Sequence, residues 1–250
     1  MSTATAERKE AFEAAAGGAS KRAYVRRIFS EIAPRYDLLN HLLSANLDRG
    51  WRKVAIDALQ WTRAPGGTYL DVCAGTMDVG AELAASEGFR GRVVCADFAE
   101  PMLRGGLAKA DTLPVSPVVA DALRLPVRDG GGAGALVAFG VRNFEDIDAG
   151  LRELARVLAP GARLVILECA EPPSAIVRAL YHLYFRRVLP LVGRVISGHR
   201  TAYSYLPASV ASFPQPDELA ARMRAVGLVD VGYRRLTMGT AAVHWGARPA

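Results

Sequence analysis

Between residues 68 and 168 the chain alternates short apolar runs with helical patterns, and this alternation limits its possible folds more than any other feature. The apolar runs predict strands at Thr68–Cys73, Arg92–Asp97, Ser116–Ala120, Gly134–Phe139 and Ala162–Glu168. The helical patterns predict helices near Val79–Ser86, Pro101–Ala108 and Asp146–Leu158, the last ended by Pro160-Gly161. Such alternation is typical of a parallel sheet covered on both faces, because every parallel connection must cross the sheet. The sequence therefore predicts an α/β fold.

Helical segments are also predicted on both sides of this alternation. Two amphipathic helices precede it, at Arg22–Ala33 and at about Arg49–Trp61, and they should lie beside the carboxyl edge of the sheet. After it, the apolar-aromatic stretch Ile176–Ile196 with its embedded arginines predicts an inserted helical cap near residues 172–210. The remaining patterns predict a helix at Asp217–Val226 and strands at Val229–Leu236 and Thr240–Ala247.

Composition predicts one domain behind a short tail. Residues 1–20 contain almost no bulky apolar side chain, so they cannot bury enough surface to offset the entropy of ordering. We therefore expect a disordered tail at 1–20 and a single domain at 21–250, since parallel-sheet folds reach this length with one core.

Charge and hydropathy restrict the partners and the location of the protein. The net charge of +6 favours anionic surfaces, either phospholipid headgroups or nucleic acid, without choosing between them. The N-terminus has no signal-peptide pattern, and no apolar run reaches the roughly 18 residues that span a bilayer. We expect a cytoplasmic protein or one bound peripherally to the inner face of the membrane. Cys73, Cys95 and Cys169 lie in apolar runs, which predicts core thiols, no disulfide and no metal site.

Acidic residues follow three successive predicted strands and suggest a ligand pocket. The segment Tyr69–Asp78 runs from a strand through a small-residue turn into a helix, which places backbone N–H groups beside a nucleotide in a doubly wound fold. Asp97 and Asp121 end the next two strands. Any one of these carboxylates could simply terminate a strand, but together they favour a shared binding edge. The glycine fingerprint of dinucleotide-binding dehydrogenases is absent.

At this point the order of segments resembles the ubiquinone/menaquinone biosynthesis C-methyltransferase family, whose members are class I S-adenosylmethionine-dependent enzymes. The resemblance covers nearly everything from Val25 to Arg248. The matching segments are Val25–Asp37 with Asn40 and Ser44, Trp51-Arg52, Leu70–Asp78, Asp121–Pro126, Phe139–Asn143, Arg156–Gly161, Leu167-Glu168, Tyr203–Leu206, Phe213-Pro214 and His244–Gly246. The blocks Gly-Val-Arg-Asn and Ala-Pro-Arg-Tyr-Asp are far more specific to the family than the turn after the first strand.

The resemblance implies the class I methyltransferase Rossmann-like fold, a mostly parallel seven-stranded sheet with helices on both faces, N-terminal helices and an inserted helical cap. It also implies S-adenosylmethionine as methyl donor, without a metal. The implied cofactor-binding residues lie on the turn and at strand ends: Asp71, Gly75, Thr76, Asp97, Phe98, Asp121, Ala122 and Ala138. Among them, Thr76 would contact the methionine moiety, Asp97 the ribose, and Asp121 with Ala122 the adenine.

Three positions depart from the family pattern. The class usually has glycines at the positions of Cys73 and Met77, and many members have a serine at the position of Ala138. Glycine at such a turn permits positive φ and close approach of a ligand. Either Met77 packs behind the turn in a variant of the family, or the cofactor site is weakened. We favour the first interpretation, because the rest of the pocket is retained.

The implied reaction is methyl transfer to a ring carbon of a demethylated isoprenoid quinol, which is lipid-soluble. Carbon is a poor nucleophile until a neighbouring hydroxyl loses its proton, so the site needs a base or relay and groups that stabilise the phenolate. We expect Arg142 and Asn143 to orient the quinol oxygen and Tyr36 to contact the ring. The structural alternatives are an Arg142 salt bridge to a loop carboxylate and a Tyr36 that only packs against the sheet.

Several functions remain in competition at this stage. Demethylmenaquinol methylation is favoured, with the benzoquinol step of ubiquinone synthesis as the closest alternative. A small-molecule natural-product methyltransferase and a non-enzymatic cofactor-binding protein are the others. Nucleic-acid methylation is disfavoured, since Gly-Val-Arg-Asn occupies the place of the Pro-Pro-Tyr-like element that stacks a flipped base. The stretch 176–196 could contact a membrane or pack in the core. The oligomeric state stays open, a homodimer included.

Overall fold

The structure, a computed structural model, describes residues 11, 19–44, 46–184, 187 and 202–250. Most of the predicted tail and residues 188–201 of the predicted cap lie outside the described residues. Ala11 is helical and belongs to a buried cluster with Tyr24, Ile28 and Tyr205, so at least this position of the predicted tail lies against the domain.

A seven-stranded sheet of order β3-β2-β1-β4-β5-β7-β6 forms the centre of the molecule. The strands are β1 (Thr68–Val72), β2 (Arg92–Asp97), β3 (Val115–Val119), β4 (Gly132–Ala138), β5 (Leu158–Cys169), β6 (Val229–Leu236) and β7 (Ala241–Ala247). The first five run parallel, whereas β7 pairs antiparallel with both β5 and β6. From β1 the chain builds outward to β2 and β3 and then returns to place β4 on the other side of β1. The switch point between β1 and its neighbours opens a crevice at the carboxyl ends of the strands.

Nine named helices accompany the sheet in the part of the chain that the structure describes. They are α1 (Ala19–Ile32), α2 (Tyr36–Leu43), α3 (Leu47–Leu59), α4 (Asp78–Ala84), α5 (Glu100–Ala110), α6 (Ile147–Val157), α7 (Ala175–Leu183), α8 (Ala202–Ala211) and α9 (Pro216–Ala225). The predicted α/β class with seven strands and N-terminal helices is confirmed. Within the same residues, no helix has the length and apolar character needed to cross a membrane.

The largest difference from the predicted elements is at the start of β5. This strand begins at Leu158 and runs through Pro160-Gly161, which were predicted to lie in a loop. Leu158 pairs with Gly132, and the register shifts between Gly132 and Gly134, so a bulge absorbs the irregularity. The helix before it, predicted to begin at Asp146, begins at Ile147, because the Asp146 carboxylate caps it by accepting a hydrogen bond from Ala149 N.

Both faces of the sheet are covered. Along β5, Leu164 and Ile166 belong to one buried cluster, whereas Val165 and Leu167 belong to the other. Helices α6 and α9 pack on the first face, and α3 covers the second with residues such as Ile56. Such alternating, fully buried strands hold the carboxyl edge in a fixed position.

Helices α1 and α8 lie over that carboxyl edge. Both contact a 3-10 turn, Val141–Asn143, that directly follows β4, and α1 also packs on α5. Tyr24 of α1 and Tyr205 of α8 meet with ring centroids 5.5 Å apart. Of the two N-terminal helices expected beside this edge, α1 lies over it, as predicted. The expectation was wrong for α3, because its apolar side packs on the face of the sheet instead.

Candidate active site

The turn between β1 and α4 contains three residues with positive φ. These are Cys73 (φ 59°), Gly75 (φ 53°) and Met77 (φ 63°), of which only glycine adopts this conformation without strain. The Met77 side chain is fully buried in the cluster that contains Val79 and Leu83. Met77 therefore packs behind the turn, in agreement with the favoured interpretation.

Replacing Met77 with glycine is expected to lower the free energy of unfolding by about 1–4 kcal/mol. Loss of a buried Met side chain costs about 2–5 kcal/mol, and relief of the left-handed conformation returns about 1 kcal/mol. The half-buried Cys73 is the matched control, because Cys73→Gly relieves similar strain and removes less packing. Urea unfolding should place Cys73→Gly at or above wild-type stability. A Met77→Gly variant as stable as Cys73→Gly would contradict the packing role of Met77.

A cleft open to solvent lies at the carboxyl ends of β1, β2 and β3, beside the turn that follows β4. The lining residues are Arg22, Cys73, Ala96, Asp97, Phe98, Ala120, Asp121, Ala122, Leu123, Asn143, Phe144 and Glu145. Four of the implied cofactor residues, Asp97, Phe98, Asp121 and Ala122, and one implied catalytic residue, Asn143, thus share one cavity.

The carboxylate of Asp97 lines the cleft and accepts hydrogen bonds from the backbone of two segments beside it. Its Oδ2 accepts a hydrogen bond from Gly75 N at 2.9 Å, and its Oδ1 accepts one from Ala99 N at 2.8 Å. Burial raises the pKa of Asp97, while these backbone donors lower it. The bond to Gly75 connects the end of β2 to the turn after β1.

Asp71 lies in the core beside the cleft and does not line it. Its Oδ2 accepts a hydrogen bond from Gly80 N at 2.8 Å and lies 3.7 Å from Cys95 Sγ. Burial raises the pKa of Asp71 to about 7, and the hydrogen bond from Gly80 opposes that rise. In this position Asp71 ties β1 to α4, so its contribution to a cofactor site is to hold the turn in shape.

Thr76 is engaged in a network of charged groups on the far side of the turn. Its Oγ1 donates to Asp37 Oδ1, and Lys109 Nζ donates to Thr76 Oγ1 at 3.1 Å, to Asp37 and to Asp78. Arg52 of α3 joins the network through Asp78 at 2.8 Å. The network ties α2, α3 and α5 to the turn. Sequence reasoning did not select Lys109, because its partners Asp37, Thr76 and Asp78 are brought together only by the fold.

Arg142 forms a buried ion pair with Glu168 at the end of β5. Arg142 Nη1 donates to Glu168 Oε2 at 2.7 Å and to Phe139 O at 2.6 Å, and Arg142 N donates to Glu168 Oε1 at 3.1 Å. Burial alone would lower the pKa of Arg142, but Glu168 raises it above its usual range. Among the described residues, the buried Nε of Arg142 has no hydrogen-bond partner. The alternative of a salt bridge is thus realised with a strand-end carboxylate, and the buried Nε–H remains without a partner among the described residues.

The other implied catalytic residues lie close to Arg142. Asn143 Oδ1 accepts a hydrogen bond from Tyr205 Oη at 3.1 Å, and Asn143 Nδ2 lies 3.4 Å from Phe139 O. Tyr36 lies over the turn, since a Cβ built on Gly75 would be 3.5 Å from its Cε1. Burial raises the pKa of Tyr36, so its hydroxyl is protonated at neutral pH.

Ala138 lies away from the cleft, whereas Arg22 lines it. Ala138 ends β4 and packs, half-buried, against the cluster on the α3 face rather than lining the cleft. Arg22 of α1, which sequence reasoning did not select, spans the cleft and pairs with Asp121 Oδ2 at 2.7 Å.

Comparison with known proteins places the whole domain in one group. Residues 18–248 match the model of the ubiE/COQ5 methyltransferase family. The chain is 49% identical over 224 residues to the demethylmenaquinone methyltransferase of Thermus thermophilus, covering 89% of this chain and 100% of that protein. It is 40% identical over 228 residues to the ubiquinone/menaquinone biosynthesis C-methyltransferase UbiE of Geobacter sulfurreducens, covering 90% and 88%. A solved SAM-dependent methyltransferase of Thermotoga maritima has the same fold, with a TM-score of 0.61 at 16% identity over 89% of this chain and 98% of that one.

Proposed function

The chain belongs to the ubiE/COQ5 methyltransferase family, and on that premise we propose that it transfers a methyl group from S-adenosylmethionine to a ring carbon of demethylmenaquinol, giving menaquinol. It is an S-adenosylmethionine-dependent C-methyltransferase. The observation that carries the proposal is the cleft at the switch point, where the acidic strand ends lie next to the Arg142–Glu168 pair.

The residues of the cleft fit S-adenosylmethionine. Asp97 provides a carboxylate for the ribose hydroxyls, and Asp121 with Ala122 provides one polar and one apolar contact for the adenine. A Cβ on Gly75 would lie 3.3 Å from Met102 Cε and 3.5 Å from Tyr36 Cε1, so a side chain at this position of the turn would crowd both neighbours. When bound, the sulfonium supplies an activated methyl group, and the proposal therefore includes no metal.

The chain's own residues then have distinct tasks in the proposed reaction. Arg142 stays protonated, so it cannot act as a base; its free Nε–H can donate to a developing phenolate oxygen. Asn143, which accepts a hydrogen bond from Tyr205, lines the cleft next to Arg142 in the chain and would help to orient the quinol oxygen. Tyr36 covers the turn, where it contacts the ring and excludes water.

The test is a mass-spectrometric assay of the purified protein with isotope-labelled cofactor and a panel of reduced quinols. Label on a demethylnaphthoquinol supports the proposal. If only a prenylated benzoquinol is labelled, the protein acts in ubiquinone synthesis instead. If only unprenylated quinols are labelled, it is a natural-product methyltransferase. Calorimetry that finds cofactor binding without transfer would make the protein non-enzymatic, and absence of binding would refute every methyltransferase assignment.

We also propose that α7 rests on an anionic membrane surface, from which a lipid-tailed quinol would be taken. Ile176, Leu180 and Leu183 are 76%, 63% and 55% exposed, and their spacing places them on one face of the helix. A contiguous apolar patch of this kind on a protein with net charge +6 fits an anionic lipid interface. The continuation of this stretch, at 188–196, lies outside the described residues.

Replacing both Ile176 and Leu180 with glutamate is expected to reduce binding to vesicles of mixed phosphatidylglycerol and phosphatidylcholine by about tenfold or more. Each buried side chain contributes about 1.5–3 kcal/mol to such burial, and about 1.4 kcal/mol is a factor of ten. Leu107→Glu is the matched control, because Leu107 is 47% exposed on α5. Co-sedimentation in which the control variant loses as much binding would contradict α7 as the contact.

A further inference from the structure

Lys21, near the start of α1, is a charged side chain in the interior of the protein. Only 5% of it is exposed, and no hydrogen bond or ion pair between described residues involves it. Lysine is almost never buried to this extent unless it is paired, because an unpaired ammonium loses its hydration. A lysine side chain buried to this extent, with no partner among the described residues, is therefore an unusual feature.

The position of α1 brings Lys21 to the site where the quinol would bind. The helix packs on the turn Val141–Asn143, and the charges of Arg142 and Glu168 both act on Lys21. The next residue, Arg22, reaches the cofactor cleft and pairs with Asp121 at 2.7 Å. Two adjacent side chains thus reach the cofactor cleft and the Arg142–Glu168 pair.

We propose that the Lys21 amine accepts the proton of the quinol hydroxyl during methyl transfer, an inference that rests on the proposed function. As the proton moves to Lys21, the ring carbon forms its bond to the methyl carbon, and the electron pair of the broken carbon–sulfur bond stays on sulfur. The methylated carbon then loses its hydrogen to water, while Lys21 returns its proton to the ring oxygen. One methyl group is gained and one proton released.

The other titratable groups near Arg142 are less suited to take this proton. Both oxygens of Glu168 already accept hydrogen bonds from Arg142. Burial raises the pKa of Tyr36 and of Tyr205, and Tyr205 Oη already donates to Asn143. Their hydroxyls are therefore already protonated and cannot accept a proton.

The electrostatics around Lys21 favour the neutral amine that a base requires. Burial lowers the pKa of Lys21, and the permanent charge of Arg142 on the facing turn lowers it further, while Glu168 of β5 opposes the shift. On α1 itself lie Tyr24 and Arg22, which is paired with Asp121. Among the other described residues, Tyr36 on α2, Tyr181 on α7, Tyr205 on α8 and Cys169 of β5 interact electrostatically with Arg142. Burial raises the pKa of each of these four groups, so they are neutral near pH 7 and do not restore the ammonium.

The first test compares kcat of Lys21→Met and Lys21→Arg with wild type in the demethylnaphthoquinol assay. Both should lose about 100-fold or more, because general base catalysis contributes on the order of 10²–10⁴, and arginine keeps the charge without accepting a proton. Arg26→Met, an exposed basic residue of the same helix, is the control and should stay near wild type. Calorimetry should find unchanged cofactor affinity in every variant.

The second test separates proton transfer from a purely structural role. In wild type, kcat should rise with pH as Lys21 loses its proton, at a pH below the range of an ordinary lysine, and this limb should vanish in Lys21→Met. Added methylamine should restore activity to a folded Lys21→Ala. Full activity of Lys21→Arg, or an unchanged pH limb without amine rescue, overturns the inference while the proposed function stands. A wild-type protein inactive on every quinol would instead refute the proposed function itself.

Discussion

Replacing Arg142 with methionine is expected to lower the free energy of unfolding by about 3–5 kcal/mol, because Glu168 is then left buried without its counter-charge. Arg142 is 8% exposed and Glu168 1% exposed, so solvent screens the pair little. The same variant should lose methyl transfer, since the Nε–H that we propose as donor to the phenolate oxygen disappears with the guanidinium. Chemical denaturation and the quinol assay measure the two effects separately.

The double variant Arg142→Met with Glu168→Leu is the control that separates stability from chemistry. Removing both charges of a buried pair is often neutral or stabilising, so most of the lost stability should return. Activity should not return, because no donor replaces Nε. Recovery of full activity in the stable double variant would show that Arg142 has only a structural role.

Gly106→Ala is expected to lower both the stability of the protein and its affinity for the cofactor. A Cβ on Gly106 would lie 2.2 Å from the carbonyl oxygen of Thr76, a distance that no rearrangement of a side chain can relieve. The turn itself must move, which should cost about 1–3 kcal/mol of stability or more and should weaken cofactor binding by at least about tenfold. Thermal unfolding and calorimetry with S-adenosylhomocysteine measure these losses.

The neighbouring Gly105 provides the matched control on the same helix. A Cβ there would meet only Thr76 Cγ2 at 3.7 Å, an ordinary contact, and Gly105 is exposed. Gly105→Ala should therefore leave cofactor affinity unchanged and raise stability by about 0.5–1 kcal/mol through helix propensity. Equal losses in the two variants would mean that the helix, and not the turn, is sensitive to alanine.

The fold could be predicted from local patterns because strands and helices alternate with clear periods. Asp97 and Asp121 could also be predicted to share an edge, since parallel strands end on the same side of a sheet. What the sequence could not predict is contact between distant segments at close range. The nearness of Gly106 to Thr76 and of Gly80 to Cys95 is set by helix–turn packing, which leaves no periodic signal.

Several residues of the candidate site could be identified from the sequence, but their hydrogen-bond and ion-pair partners could not. The resemblance directed attention to Arg142, but neither pattern nor spacing identifies Glu168 as its partner, because the two residues meet only when β4 and β5 pair. No sequence pattern indicates that Lys21 is buried, since a lysine in an amphipathic helix is ordinarily exposed. Its burial follows from the docking of α1 on the turn Val141–Asn143.

The ion pair between Arg22 and Asp121 has a consequence for the catalytic cycle. Arg22 is 59% exposed, and exposed ion pairs are weak and screened by salt, so this bond across the cleft can open at little cost. The same helix carries Lys21, so any movement of α1 that breaks this bond would also shift the proposed proton acceptor.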